Sequence, residues 1–92
     1  MKTIFREVWQ IGQKMGLTEV VGRGSLRLRI RVVSDSYVDQ CINVVECWDG
    51  DQWRELHTRH VLVPRGLAYG KDRGPVVKAR DTLLEEALAI LA

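Results

Sequence analysis

Apolar and polar residues alternate most regularly at Leu26–Val33, where Leu26, Leu28, Ile30 and Val32 interleave with Arg27, Arg29 and Arg31. Successive side chains of a strand leave opposite faces, so this period of two predicts a strand with one packed side and one basic side. Val38–Trp48 and Gln52–Val63 are expected as the second and third strands, joined by the hairpin signal Asp49-Gly50-Asp51. A three-residue loop sets Trp48 opposite Gln52, Glu46 opposite Arg54 and Val44 opposite Leu56. A four-residue loop sets Trp48 opposite Trp53 instead. In the first register the even-numbered apolar residues share the packed face, and Cys41, Val45, Cys47 and Trp53 lie on the other.

The two ends of the chain carry a different period. Ile4, Phe5, Val8, Trp9, Ile11 and Met15 recur at helical spacing, which predicts an amphipathic helix over Met1–Gly16. Thr3 suits its N-cap and Gly16 the position just past its end. Val76, Val77, Leu83, Leu84, Ala87, Leu88 and Leu91 form one stripe, so a second helix is expected over Val76–Leu91 with Pro75 in its first turn. Thr18-Glu19-Val20-Val21 reads either as a short extra strand or as an irregular approach, and Gly22-Arg23-Gly24-Ser25 is turn chemistry. The expected fold is α+β. It is an α-β-β-β-α two-layer sandwich in which two helices cover one face of a three- or four-stranded antiparallel sheet. Ninety-two residues make a single domain, 1–92.

Composition narrows the class without choosing a partner. A net charge of +2, with 46% apolar and 28% charged residues, is ordinary for a globular domain. Charge is unevenly placed, however. Residues 34–51 carry Asp35, Asp39, Glu46, Asp49 and Asp51 with no Lys or Arg, next to the arginine-bearing strand. Pairing across strands is therefore expected for Arg27, Arg29 and Arg31. No leader-like segment and no membrane-length apolar run is present, and two cysteines suit a reducing compartment, so a cytoplasmic protein without a membrane partner is expected.

Candidate chemistry is sparse. Cys41 and Cys47 sit about 20 Å apart along one strand at roughly 3.3 Å per residue, too far for a disulfide or a shared metal. His57 and His60, three apart in a strand, leave opposite faces. No nucleophile, paired-carboxylate or metal-ligand motif accompanies them, so no catalytic residue, metal or cofactor is assigned. The glycine-rich segment before the last helix is basic, with Arg65, Lys71 and Arg73 leading to Lys78 and Arg80. Helix N-termini favour anions, which makes these five residues candidates for binding a phosphate or nucleic acid.

The same segment carries a family resemblance. Pro75-Val76-Val77-Lys78-Ala79-Arg80, followed by Ala87-Leu88, resembles the last helix of the double-stranded-RNA-binding domain. That family has the order α-β-β-β-α and starts this helix with Lys-Lys-x-Ala-Lys. Arg80 matches the last lysine, but Val76 and Val77 replace the two leading ones. Glu7 is available in the first segment, and Ser34-Asp35-Ser36 stands in place of the family's Gly-Pro-x-His loop. The resemblance implies the topology, while its departures remove the main phosphate contacts.

The function expected is that of a small non-catalytic interaction protein, self-associating as a homodimer through its sheet, with Trp53, Val45, Arg29 and Arg31 at the interface. The alternative is nucleic-acid or phosphate binding through residues 65–80, helped by Arg23 and Arg27.

Overall fold

The computed structural model describes residues 1–12, 14–35, 40–62 and 74–92. Five strands and one helix follow in order: β1 (Lys2–Ile11), β2 (Lys14–Arg23), β3 (Leu26–Asp35), β4 (Gln40–Trp48), β5 (Trp53–Leu62) and α1 (Gly74–Leu91). The strands form one antiparallel sheet in the order β1-β2-β3-β4-β5, each paired with its neighbour in sequence. This corrects the expected α-β-β-β-α sandwich and, with it, the topology implied by the RNA-binding resemblance. Lys2–Ile11 is a strand and Lys14 opens the next, and among the described residues a single helix lies over β2 to β5.

The first segment is a strand for a local reason. Thr3, Ile4 and Val8 are β-branched and Phe5 and Trp9 aromatic, types that suit a pleated surface better than a helix. Gly12, with φ of 58°, takes a left-handed conformation between β1 and β2. Gly16 is not a helix end; it lies within β2 opposite Trp9. The Trp9 indole rests where a Cβ at this position would sit, so the aromatic ring covers the bare strand backbone. Gly16→Ala is expected to push the indole aside and cost about 1 kcal/mol. Urea unfolding and the tryptophan emission maximum would register it, and an unchanged spectrum would contradict the stacking.

The core follows from alternation. Met15, Leu17 and Val21 of β2, Leu28, Ile30 and Val32 of β3, and Val45 of β4 are buried beneath Leu83, Leu84 and Ala87 of α1. Cross-strand partners share a face, and the pairs Leu17↔Val32, Val21↔Leu28 and Ile30↔Val45 unite these residues. Asn43 is buried too, and its Oδ1 accepts the Val33 N–H at 3.1 Å. A buried amide is tolerable only with such a partner.

Two turns set the ends. Gly24 alone of Gly24-Ser25 has positive φ, at 58°, which fits a type II′ hairpin between Arg23 and Leu26. At the other hairpin Trp48 pairs with Trp53 and Cys47 with Arg54, the register of the longer loop. The Glu46–Arg54 pairing of the shorter loop does not form. Instead Asp49 Oδ1 accepts the N–H groups of Asp51 and Gln52 at 2.8 and 2.9 Å, and Arg54 binds its other oxygen. Those two N–H groups, and then Arg54, pull the Asp49 carboxyl down to about 2. A register shift between Val45 and Glu46 completes the difference. Val45, an expected interface residue, pairs with the core residue Ile30 and is fully buried under the helix rather than on the uncovered face. No helix of the described residues is long and apolar enough to cross a membrane.

Candidate functional site

The face of the sheet away from α1 carries the arginine row of β3. Glu46 of β4 sits opposite Arg29 and receives that guanidinium through Nε at 3.0 Å and Nη2 at 3.1 Å. Arg31 reaches the same carboxylate at 2.9 Å. Two cations thus enclose one anion and leave it only 9% exposed, although α1 lies on the other face of the sheet. Bidentate charge-assisted bonds are the stronger kind and hold planar groups in register. Arg29 also lies over the Trp53 ring, 4.7 Å from its centroid. Trp53 in turn meets Trp48 edge to face, with centroids 5.4 Å apart. Arginine, glutamate and two indoles therefore form one connected ridge across β3, β4 and β5.

Apolar hollows flank that ridge. One is lined by Trp9, Thr18, Arg31, Val33 and Val44. The other is lined by Ile4, Val20, Arg27, Trp48 and Trp53. Phe5 and Trp48 are exposed large apolar side chains on this same face, at 49% and 41%. The chemistry is that of a recognition surface, with flat aromatic groups beside a neutralised ion cluster. Among the described residues no cluster of three His, Cys, Asp or Glu is placed to hold a metal ion.

The helix side holds a second polar cluster. Glu19 is 0% exposed, and it accepts hydrogen bonds from Arg80 at 2.9 and 2.6 Å and from Thr3 at 2.8 Å. Arg6 stands 3.5 Å away. Burial alone raises the Glu19 carboxyl, but Arg80, Thr3 and Arg6 together bring it below its ordinary value. Arg80 is correspondingly raised, chiefly by Glu19. Further along the helix, Glu86 Oε1 takes Arg59 at 3.0 Å and stands 3.5 Å from His57 Nε2.

Of the residues expected to bind an anion, Arg65, Lys71 and Arg73 lie outside the described residues. Lys78 is exposed on α1. Arg80, two positions on and so about 200° round the helix, turns to the sheet and binds Glu19 and Asp81. The structure does not bring Lys78 and Arg80 together on one face. Of the expected interface residues, it joins Trp53, Arg29 and Arg31 and separates Val45 from them. The Glu46 cluster was signalled by the neighbouring basic and acidic stretches. Spacing alone does not signal the Glu19 cluster, because the β1 residues Thr3 and Arg6 fall in a stretch of helical period and Thr18–Val21 reads two ways. Alternation through Met15, Leu17, Glu19 and Val21 was the available sign. His60 has its side chain outside the described set, and Cys47 is a free, half-buried thiol. Comparison with protein-family models, with curated proteins and with solved structures finds no match.

Proposed function

We propose that this chain is a non-catalytic interaction protein that pairs with a second copy of itself through the open face of its sheet. The observation that carries the reading is the Arg29–Glu46–Arg31 cluster beside Trp48 and Trp53. Arg29, Arg31 and Glu46 satisfy one another within the chain, so covering that cluster strands none of its three charges. What remains is aromatic and aliphatic surface of the kind enriched in interface cores. Its extent is adequate. The molecule measures 38 × 21 × 21 Å, so the face is on the order of 800 Å², the share each partner brings to a standard interface. Two such faces stack as a sandwich with the same patch on both copies.

Self-competition argues against stacked bases as the occupant. Arg29 already lies over Trp53, and Glu46 would repel a phosphate placed between the arginines. Light scattering is expected to give twice the chain mass of 10.5 kDa for the wild type. Trp48→Glu puts a charge on the exposed aromatic end of the face, at the β4–β5 hairpin, and is expected to give a folded monomer. A wild type that stays monomeric at high concentration ends the proposal.

A further inference from the structure

A cleft of about 780 Å³ opens where the start of β1 meets the β2–β3 turn, lined among others by Lys2, Ile4, Gly22, Arg23, Gly24 and Arg27. Among the described residues no carboxylate lines it. This is unusual within the molecule. Among the described residues, Arg6, Arg29, Arg31, Arg54, Arg59 and Arg80 each stand within 4.0 Å of a carboxylate. Arg23 and Arg27 are the two described arginines that do not, and both line this cleft. Lys2 is exposed beside them. Three like charges left without acids in one concavity cost stability unless an anion joins them.

The backbone around them is prepared for close approach. Arg27 Nη1 donates to the carbonyl oxygens of Gly24 and Leu26 at 2.7 and 2.8 Å, which anchors the guanidinium against the turn. It lies across Gly22, where an added Cβ would stand 2.7 Å from Nη1 and 2.7 Å from Ile4 Cδ1. Glycine at 22 therefore lets the guanidinium lie against the strand. Gly24 holds the tight turn with its left-handed φ of 58° and presents no side chain to the cleft. The nearby carboxylates are engaged elsewhere. Glu19 is occupied by Arg80 and Thr3, and Asp49, at the neighbouring turn, by Arg54.

We propose that this cleft binds a phosphate-bearing ligand, with Arg23, Arg27 and Lys2 as its cations and the β2–β3 turn as its floor. Guanidinium groups suit phosphate oxygens because their fork of N–H donors matches the oxyanion geometry. The site is separate from residues 65–80, and it shares Ile4 and Arg27 with the second hollow of the open face. The test is calorimetric titration of the wild-type protein with inorganic pyrophosphate at low salt. Saturable one-site binding is expected, weakening as salt is added. Arg23→Ala and Arg27→Ala are each expected to weaken it by tenfold or more. Gly22→Ala, which displaces Arg27 without removing it, is expected to weaken it several-fold. Arg59→Ala, a charge change of the same sign on β5 away from the cleft, is expected to leave the affinity within twofold. Absence of saturable binding overturns the proposal, and so does equal loss in Arg59→Ala and Arg23→Ala.

Discussion

Replacing Arg80 with Ala is expected to destabilise the fold by about 3–5 kcal/mol, because it leaves a buried carboxylate without its main partner. Glu19 has no solvent contact, and Arg80 supplies two of its three hydrogen bonds. Thr3 and the more distant Arg6 cannot replace a bidentate guanidinium. The loss has a characteristic pH dependence. The ordinary value for Glu19 is 4.5, and the folded state holds it lower, so the unfolded chain binds a proton first as pH falls. Stability from this cluster is therefore fully present above 4.5 and declines as pH falls toward the lower folded value. In Arg80→Ala the carboxyl is buried without that compensation and protonates more readily. The gap between variant and wild type in urea unfolding should narrow from about pH 7 to about pH 3. The double change Glu19→Gln with Arg80→Met removes both charges and should recover most of the loss. A gap that is small at neutral pH, or that does not change with acid, would show that the cluster does not hold α1 to the sheet.

Leu83→Ala should cost a similar amount, about 2–5 kcal/mol, by a different mechanism. Leu83 is 1% exposed and belongs to the buried cluster with Leu28, Ile30 and Val45. Truncation removes apolar contacts and leaves a void that a sheet pinned by four hairpin-type pairings cannot collapse to fill. Helix propensity cannot be the cause, since Ala is a better helix former than Leu. Leu91, near the end of the same helix, is 43% exposed. Leu91→Ala should therefore stay within about 0.5 kcal/mol. Equal losses at the two positions would mean that α1 does not dock along the stripe from Ala79 to Leu88.

These two residues also mark how far local pattern reaches. Leu83 was legible, because its spacing from Leu84, Ala87 and Leu88 has only one helical reading. Leu28, Ile30 and Val32 were equally legible as the floor under the helix, because strict alternation admits only one packed face. Arg80 was read as a helix-start cation free for an anion. Its carboxylate partner lies sixty-one residues away on β2, and no spacing rule links them. Glu19 itself concealed the strand that carries it. A buried charge interrupts the apolar alternation of Met15, Leu17 and Val21, so the period shows only if Glu19 is counted as a packed position. The first strand failed for a related reason. Ile4, Phe5, Val8 and Trp9 fit helical and extended spacings alike, and over so few residues the 3.6 and 2.0 periods overlap. Residue type, β-branched and aromatic, was the better guide there.

By itself, then, the sequence determined which stretch must be a half-buried strand, which stretch must be a docked helix, and that Arg29 and Arg31 of β3 would meet an acid next door, whereas the same expectation for Arg27 is not met. Those features rest on contacts within an element or between neighbours in the chain. The tertiary structure alone decided the rest. It chose the longer β4–β5 loop, in which Trp48 meets Trp53 edge to face, and it turned Val45 under α1 by pairing it with Ile30. It assigned Glu46 to Arg29 and Arg31, and Glu19 to Arg80. By using up those acids it left Arg23 and Arg27 together at the β2–β3 turn. Which charges are satisfied is a property of all the strands at once, since each carboxylate can be claimed only after the sheet has set its neighbours.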